Sequence, residues 1–152
     1  TGDKSADFLF KCLHNAGFAN QSISISKDDG LKLNNLYLTT ALKCVPPEDK
    51  PKSDELKTCF NFFREEINYL TNINTIVALG KIAFDACLNF YMQDYDLKKK
   101  DFVFQHGTEY VLPDSKILIG SYHPSPRNVN TGRIDENKMG KLLKKVKKVM
   151  DR

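Results

Sequence analysis

Twice in this chain a short apolar run ends on a glycine: Thr75-Ile76-Val77-Ala78-Leu79 before Gly80, and Lys116-Ile117-Leu118-Ile119 before Gly120. Runs of this length without polar alternation belong to strands covered on both faces, as in the parallel sheets of α/β proteins. Helical periodicity fills the chain around them. Ala6, Leu9, Phe10, Leu13 and Ala16 share one face, and Gly17 ends the pattern. Leu56, Phe60, Phe63, Ile67 and Leu70 form a second stripe, and Ile82, Ala83, Ala86, Cys87 and Phe90 a third. The last, from roughly Glu136 to Met150, carries Met139, Leu142, Leu143, Val146 and Met150 opposite lysines. Strands alternating with helices predict an α/β domain on a mostly parallel sheet. Leu36–Cys44 reads as a further buried strand, entering the rigid loop Val45–Pro51. Phe102–Val111 reads as a short hairpin turning near His106-Gly107. The length of 152 residues suits a single domain over residues 1–152, and 41% apolar residues suffice for a core.

Ligands of such sheets sit beyond the carboxyl ends of the strands. The stretch after the last strand, Gly120-Ser121-Tyr122-His123-Pro124-Ser125-Pro126-Arg127-Asn128-Val129-Asn130-Thr131-Gly132-Arg133, is therefore the natural place for a site. Pro124 and Pro126 fix φ and bias the residues before them toward extended geometry, so the loop is stiff. His123, Ser125, Arg127, Asn128, Asn130, Thr131 and Arg133 supply the donors and cations that commonly contact phosphates, and prolines can wedge a base stack. Taken alone, His-Pro-Ser is more simply a surface loop whose histidine caps something local. Asp3 or Ser5 is most simply the N-cap of the first helix. Gly2-Asp3 can also present a carboxylate at the edge of a site.

The net charge of +4 is uneven. Residues 133–152 hold eight Lys or Arg against three Asp or Glu, a net +5, which leaves −1 for residues 1–132. A basic end favours a polyanionic partner, although a solvated helix face produces the same count. No apolar run approaches the roughly 18 residues that span a membrane, and no membrane partner is expected. No secretory apolar segment opens the chain, so a cytoplasmic setting is expected. The opening also lacks an initiator Met and a preceding strand, as expected of a chain cut from something longer. Cys12, Cys44, Cys59 and Cys87 in a Lys-rich chain argue against a disulfide framework. Cys44 precedes Pro46-Pro47 and Cys59 lies in the next helix, beside Phe60 and off its stripe. The two can ligate one metal or cluster, but zinc and cubane iron–sulfur sites ordinarily take four ligands. Cys12 and Cys87 lie on apolar faces and read as small buried hydrophobes. Gly80 stands alone, without a Gly-rich phosphate loop, which weighs against an enzyme of free nucleotides.

Taken together the segments resemble the uracil-DNA glycosylase superfamily, most of all its fifth, iron–sulfur-containing family of archaea and bacteria. The resemblance runs through Thr1–Ser5 and its helix, Gly17–Gln21, Lys43-Cys44-Val45-Pro46-Pro47 with Lys50-Pro51, and Val77–Gly80. It continues through Ser121–Ser125 to Asn128 and Asn130–Arg133, and so covers nearly the whole chain. It implies a three-layer αβα sandwich on a mostly parallel, four-stranded sheet. Relatives carry an upstream segment with the first strand and a Cys pair, so that strand is expected to be missing here, with another chain as its possible source. The function implied is hydrolysis of the N-glycosidic bond of uracil, and of other deaminated bases, flipped out of DNA in a prokaryotic, nucleoid-associated setting. By position, His123 stabilises charge on the departing base and Asp3 orients or activates water. Ser125, Arg127 and Asn128 hold phosphates or wedge the duplex, with Arg133 in the same DNA-binding stretch. Thr40 stands where many members place an Asn that reads the base edge, which implies a broader substrate range. Cys44 and Cys59 match the last two ligands of a 4Fe-4S cluster. The alternative is a non-catalytic DNA-binding module or an inactive fragment of such an enzyme.

Overall fold

A computed structural model describes residues 3–43 and 52–150. Its elements are α1 (Lys4–Asn15), α2 (Ser53–Tyr69), β1 (Thr75–Leu79), α3 (Lys81–Tyr91), β2 (Glu109–Val111), β3 (Ile117–Ser121), α4 (Pro126–Asn130) and α5 (Glu136–Met150). A single 3-10 turn, Lys99–Asp101, lies between α3 and β2. The strand order is β1-β3-β2. β1 and β3 run parallel, with Thr75 opposite Ile117 and Leu79 opposite Ser121.

Side chains alternate across a strand, and the alternation here sorts the helices into layers. Val77, Leu79, Ile117 and Ile119 pack with Leu9, Phe10 and Leu13 of α1 and with Met139, Leu142, Leu143 and Val146 of α5. Ile76, Ala78, Leu118 and Tyr110 face the other way, onto Phe63 of α2 and Phe84, Leu88 and Tyr91 of α3. The result is α1 and α5 on one face and α2 and α3 on the other, the three layers expected. Leu118 and Ile119 are fully buried on opposite faces, which is why this run shows no polar alternation.

The strand count fits a four-stranded sheet without its first strand, but the identity and direction of the strands depart from expectation. Among the described residues the sheet has three strands, and β2 runs antiparallel to β3. The strand expected over Leu36–Cys44 is absent as far as Lys43, and Cys44 lies outside the described residues. Tyr37 and Leu38 are exposed. Side chains hold this segment instead: the Tyr37 hydroxyl (2.8 Å), the Thr39 hydroxyl (2.5 Å) and the Lys43 ammonium all donate to Glu66 of α2. An apolar pattern makes a strand only when a neighbour offers a ladder.

The hairpin expected over Phe102–Val111 is also replaced. The turn at His106-Gly107 closes against β3, with Gly107 N–H donating to the Gly120 carbonyl (2.8 Å) and Gly120 N–H to the Thr108 carbonyl (3.0 Å). Gly120 permits this approach, because a Cβ there would lie 2.7 Å from the Gln105 carbonyl oxygen and 2.9 Å from the Thr108 hydroxyl. Phe102 and Phe104 meanwhile join the α2–α3 core. In α3 the buried face is Phe84, Cys87, Leu88 and Tyr91, while Ile82 is exposed, so the true stripe is rotated from the expected one. Cys59 is likewise buried, four residues before Phe63, and not off the stripe.

Candidate active site

β1 and β3 are parallel, so Gly80 and the His123 loop leave the sheet at the same end. Gly80 donates its N–H to the Ser121 carbonyl (2.7 Å). Its φ of +100° suits glycine alone, and a Cβ there would approach the His123 Cβ to 3.2 Å. The missing side chain is therefore the space into which His123 fits. Behind the histidine, the Asn128 amide donates to the His123 carbonyl (2.8 Å), and Pro124 is buried. The backbone of His123 is thus held from both sides by the loop and by β1.

Ser125 and Pro126 open α4, a helix absent from the expected stiff loop. Ser125 caps it by accepting from Asn128 N–H (3.4 Å), and Pro126 takes a first-turn position where its lack of an N–H costs nothing. Ser-Pro was the available signal. Asn128 also closes the far end, its carbonyl accepting from Arg133 N–H (2.9 Å) and Ile134 N–H (3.2 Å). Arg127 is exposed. Arg133 lies over the Tyr122 ring, 5.0 Å from its centroid. Asn128 therefore shapes the loop, while Arg127 and the edge of Arg133 face outward.

Asp3 is the N-cap of α1, the simpler of the two roles left open by its local sequence. Its Oδ1 accepts from Ala6 N–H (2.8 Å), which caps α1, and its charge also reaches His123. Surrounding protein lowers the His123 pKa below its ordinary 6.5, and Asp3 opposes that shift without reversing it. The charged imidazolium is therefore the disfavoured form, although the residue as a whole is exposed. A neutral imidazole carries one N–H and one lone pair, so it can donate a hydrogen bond or take a proton.

Thr40 is less integrated. It is exposed, and its hydroxyl has no hydrogen-bond partner among the described residues. Its position depends on the neighbouring Thr39 and on Glu66. Burial alone would raise the Glu66 carboxyl, but hydrogen bonds from Lys43, Thr39 and Tyr37 outweigh it and hold the group below its usual pKa. Nothing in local sequence marked Glu66.

His106 was also missed, having been read only as a turn. Its ring stacks on Tyr122 (centroids 5.6 Å apart, planes at 25°), and its Nδ1 accepts from Tyr122 N–H (3.4 Å) and lies 3.3 Å from the Ser121 hydroxyl. A main-chain N–H can only donate, so Nδ1 is the acceptor. Burial lowers this pKa as well, against an opposing hydrogen bond with the Lys138 main chain.

Among the described residues the cysteines make no metal centre. Cys59 is buried in α2, Cys44 lies outside the described residues, and no group of three potential ligands occurs among those described. Two thiolates are half of what a cubane cluster ordinarily takes, so these residues alone do not fit one. No described helix is long and apolar enough to cross a membrane.

The sequence that builds this histidine loop and its surroundings matches a known family. The model of the uracil DNA glycosylase superfamily matches residues 1–147, and the chain belongs to that superfamily. Within it, the chain is similar to the type-5 uracil-DNA glycosylase of Thermus thermophilus, 38% identical over 149 residues, covering 98% of this chain and 66% of that protein. The type-5 enzyme of Pyrobaculum aerophilum is 38% identical over 145 residues, covering 95% of this chain and 61% of its own length. That of Mycobacterium tuberculosis is 33% identical over 150 residues, covering 98% and 55%. The chain thus spans little more than half to about two thirds of these relatives.

Proposed function

We propose that the protein containing this chain is a DNA repair glycosylase that releases uracil from DNA by hydrolysing its N-glycosidic bond. The observation that carries this is His123, braced against Gly80 and held by the Asn128 amide, in a chain whose relatives are named uracil-DNA glycosylases. The target base must first leave the stack to be reached. Water then adds to the sugar carbon as the C–N bond breaks, and the bonding pair departs with the base. The proton that the water gives up ends on the released base, leaving a hydroxyl on the sugar. His123, by donating a hydrogen bond, stabilises the negative charge growing on the base carbonyl. The Asp3 oxygen not engaged by Ala6 orients the water. Arg127, Arg133 and the Ser125 hydroxyl hold phosphates of the kinked strand, and Asn128 keeps the loop in shape beneath them. Thr40, with one hydroxyl for a base edge, favours a range that includes other deaminated bases.

Two further parts belong to this proposal. Cys44 and Cys59 supply two of the four thiolates of a 4Fe-4S cluster, completed by residues outside this chain; no catalytic step depends on it. β1 also takes a further strand, from another chain or from the remainder of the protein. Asn74 and Gly80 bond toward β3, so the main-chain groups of Thr75, Val77 and Leu79 point to the opposite edge, where the described residues offer no ladder. Such an enzyme works with the nucleoid in a prokaryotic cytoplasm.

The test is release of free uracil from uracil-containing duplex. We expect release by the wild type and a loss of roughly 10²- to 10³-fold in His123→Ala, with DNA binding retained. Equal rates would remove His123 from the mechanism. Binding without release from uracil, hypoxanthine or xanthine would indicate a non-catalytic module.

A further inference from the structure

We propose that Lys138, Lys141 and Lys145 of α5, with the His106-Gly107 turn, form a second cradle for the DNA phosphate backbone beside the His123 loop. The proposal rests on the reading of the protein as one that acts on DNA, and it assigns part of the footprint to a face outside the proline-rich loop. The three lysines, with His106, Gly107 and Leu142, line a cavity of about 240 Å³ whose charged lining is entirely cationic.

The spacing of three and four residues brings the ammoniums to one face of α5. Two are anchored. Lys145 donates to the Gly107 carbonyl (3.0 Å) and pairs with Glu109 (2.9 Å). Lys138 donates to the Gly132 carbonyl (2.5 Å) and lies 3.7 Å from Asp135. Carbonyls fix an ammonium in place without neutralising it, whereas Glu109 and Asp135 do offset charge. Lys141 is different: it is exposed and makes no hydrogen bond or ion pair among the described residues. It is the unneutralised charge of the cavity, and its anchored neighbours form the walls. A phosphodiester carries a single negative charge and accepts from lysine ammoniums as from point charges.

Position selects the ligand. Gly107 N–H on the Gly120 carbonyl puts the cavity at the carboxyl end of β3, where His123 emerges. His106 stacks on one neighbour of His123, Tyr122, and Arg133 lies over that same ring. A strand held at Arg133 therefore reaches Lys138 and Lys141 next. His106 adds no cation, because its Nδ1 is occupied as an acceptor. Its part is to hold the turn against Tyr122, so that loop and cavity keep one register.

The test is the salt dependence of binding to a short fluorescein-labelled duplex, followed by anisotropy between about 50 and 200 mM salt. Each phosphate contact contributes about 0.9 to the slope of log K against log salt. We expect Lys141→Ala to flatten the slope by about 0.9 and Lys138→Ala/Lys141→Ala by about twice as much. Lys141→Arg should retain it, and Lys57→Ala, an exposed lysine of α2, should leave it unchanged. An unchanged slope in the double variant, equal flattening by Lys57→Ala, or a wild type that binds no duplex would overturn the cradle. Flattening in a protein that releases no uracil would remove the glycosylase reading and leave the cradle standing. Release with an unaltered slope would remove only the cradle.

Discussion

Two segments that bear proposed site residues are held in opposite ways. Residues 120–134 are fixed by main-chain hydrogen bonds at both ends, by a buried proline and by the absence of a side chain at Gly80. Residues 36–43 make no main-chain ladder among the described residues, and three of their side chains converge on the single carboxylate of Glu66. The first arrangement places His123 by backbone geometry, which a single side-chain loss seldom undoes. The second places Thr40 through one acceptor, so its order is conditional on that group's charge. The group proposed to act on the breaking bond stands on the rigid segment, and the group proposed to read the base on the adjustable one. This division is suited to constant chemistry with a tolerant choice of base.

The strongest way to break the contrast is to make the rigid segment fail. Gly80→Ala forces a side chain into a φ of +100° and against His123, so it should cost about 1–2 kcal/mol of stability. By displacing the imidazole it should also lower uracil release by about 10²-fold. Thermal unfolding and single-turnover release measure the two effects. Release at the wild-type rate would show that Gly80 does not position His123.

A smaller effect sharpens the other side. Glu66→Ala should bring the backbone order parameters of residues 37–43 below about 0.6, while those of residues 122–133 keep their rigid values. The pH dependence has a definite sign. The Glu66 carboxyl is held below its usual pKa, so the latch is intact above the ordinary carboxylate range and is lost as pH falls through the lowered value. Acidification should therefore loosen 37–43 in the wild type and change nothing further in Glu66→Ala. Equal order in both segments of the variant would refute a latch through one carboxylate.

The finest test concerns His123 alone. Its NMR titration midpoint should lie below 6.5, because the surrounding protein disfavours the charged ring. Asp3→Asn removes the opposing influence and should move the midpoint further down. An upward move would mean that the two groups are not coupled as the structure places them.

Much of this was legible in the sequence for local reasons. Ile117-Leu118-Ile119 announced a strand covered on both faces, and α5 buries its expected Met139, Leu142, Leu143 and Val146. Its last turn, however, buries Val149 and leaves the expected Met150 partly buried. Asp3 could be named as the cap of α1, since a short acidic side chain before a helix accepts from its first N–H groups. The contrasting failures were non-local. Leu36–Cys44 had the composition of a strand, but composition cannot supply the neighbouring ladder. The turn at His106 pairs with Gly120, which no pattern within 102–111 could indicate. Ile82 looked as apolar as Leu88, and only docking on the sheet chose between them.

By itself, then, the chain's order of residues determined the alternation of helices and strands, the stiffness of the His-Pro-Ser-Pro turn and the basic face of α5. Those properties arise from backbone restriction and side-chain period, which act over a few residues. Tertiary structure alone decided that Gly80 leaves room for His123, that Glu66 gathers Tyr37, Thr39 and Lys43, and that His106 faces Tyr122 across from the lysines. Each of these joins residues far apart in the chain. Their meeting depends on how two helical layers close over the sheet, and nothing in the local pattern of either partner encodes it.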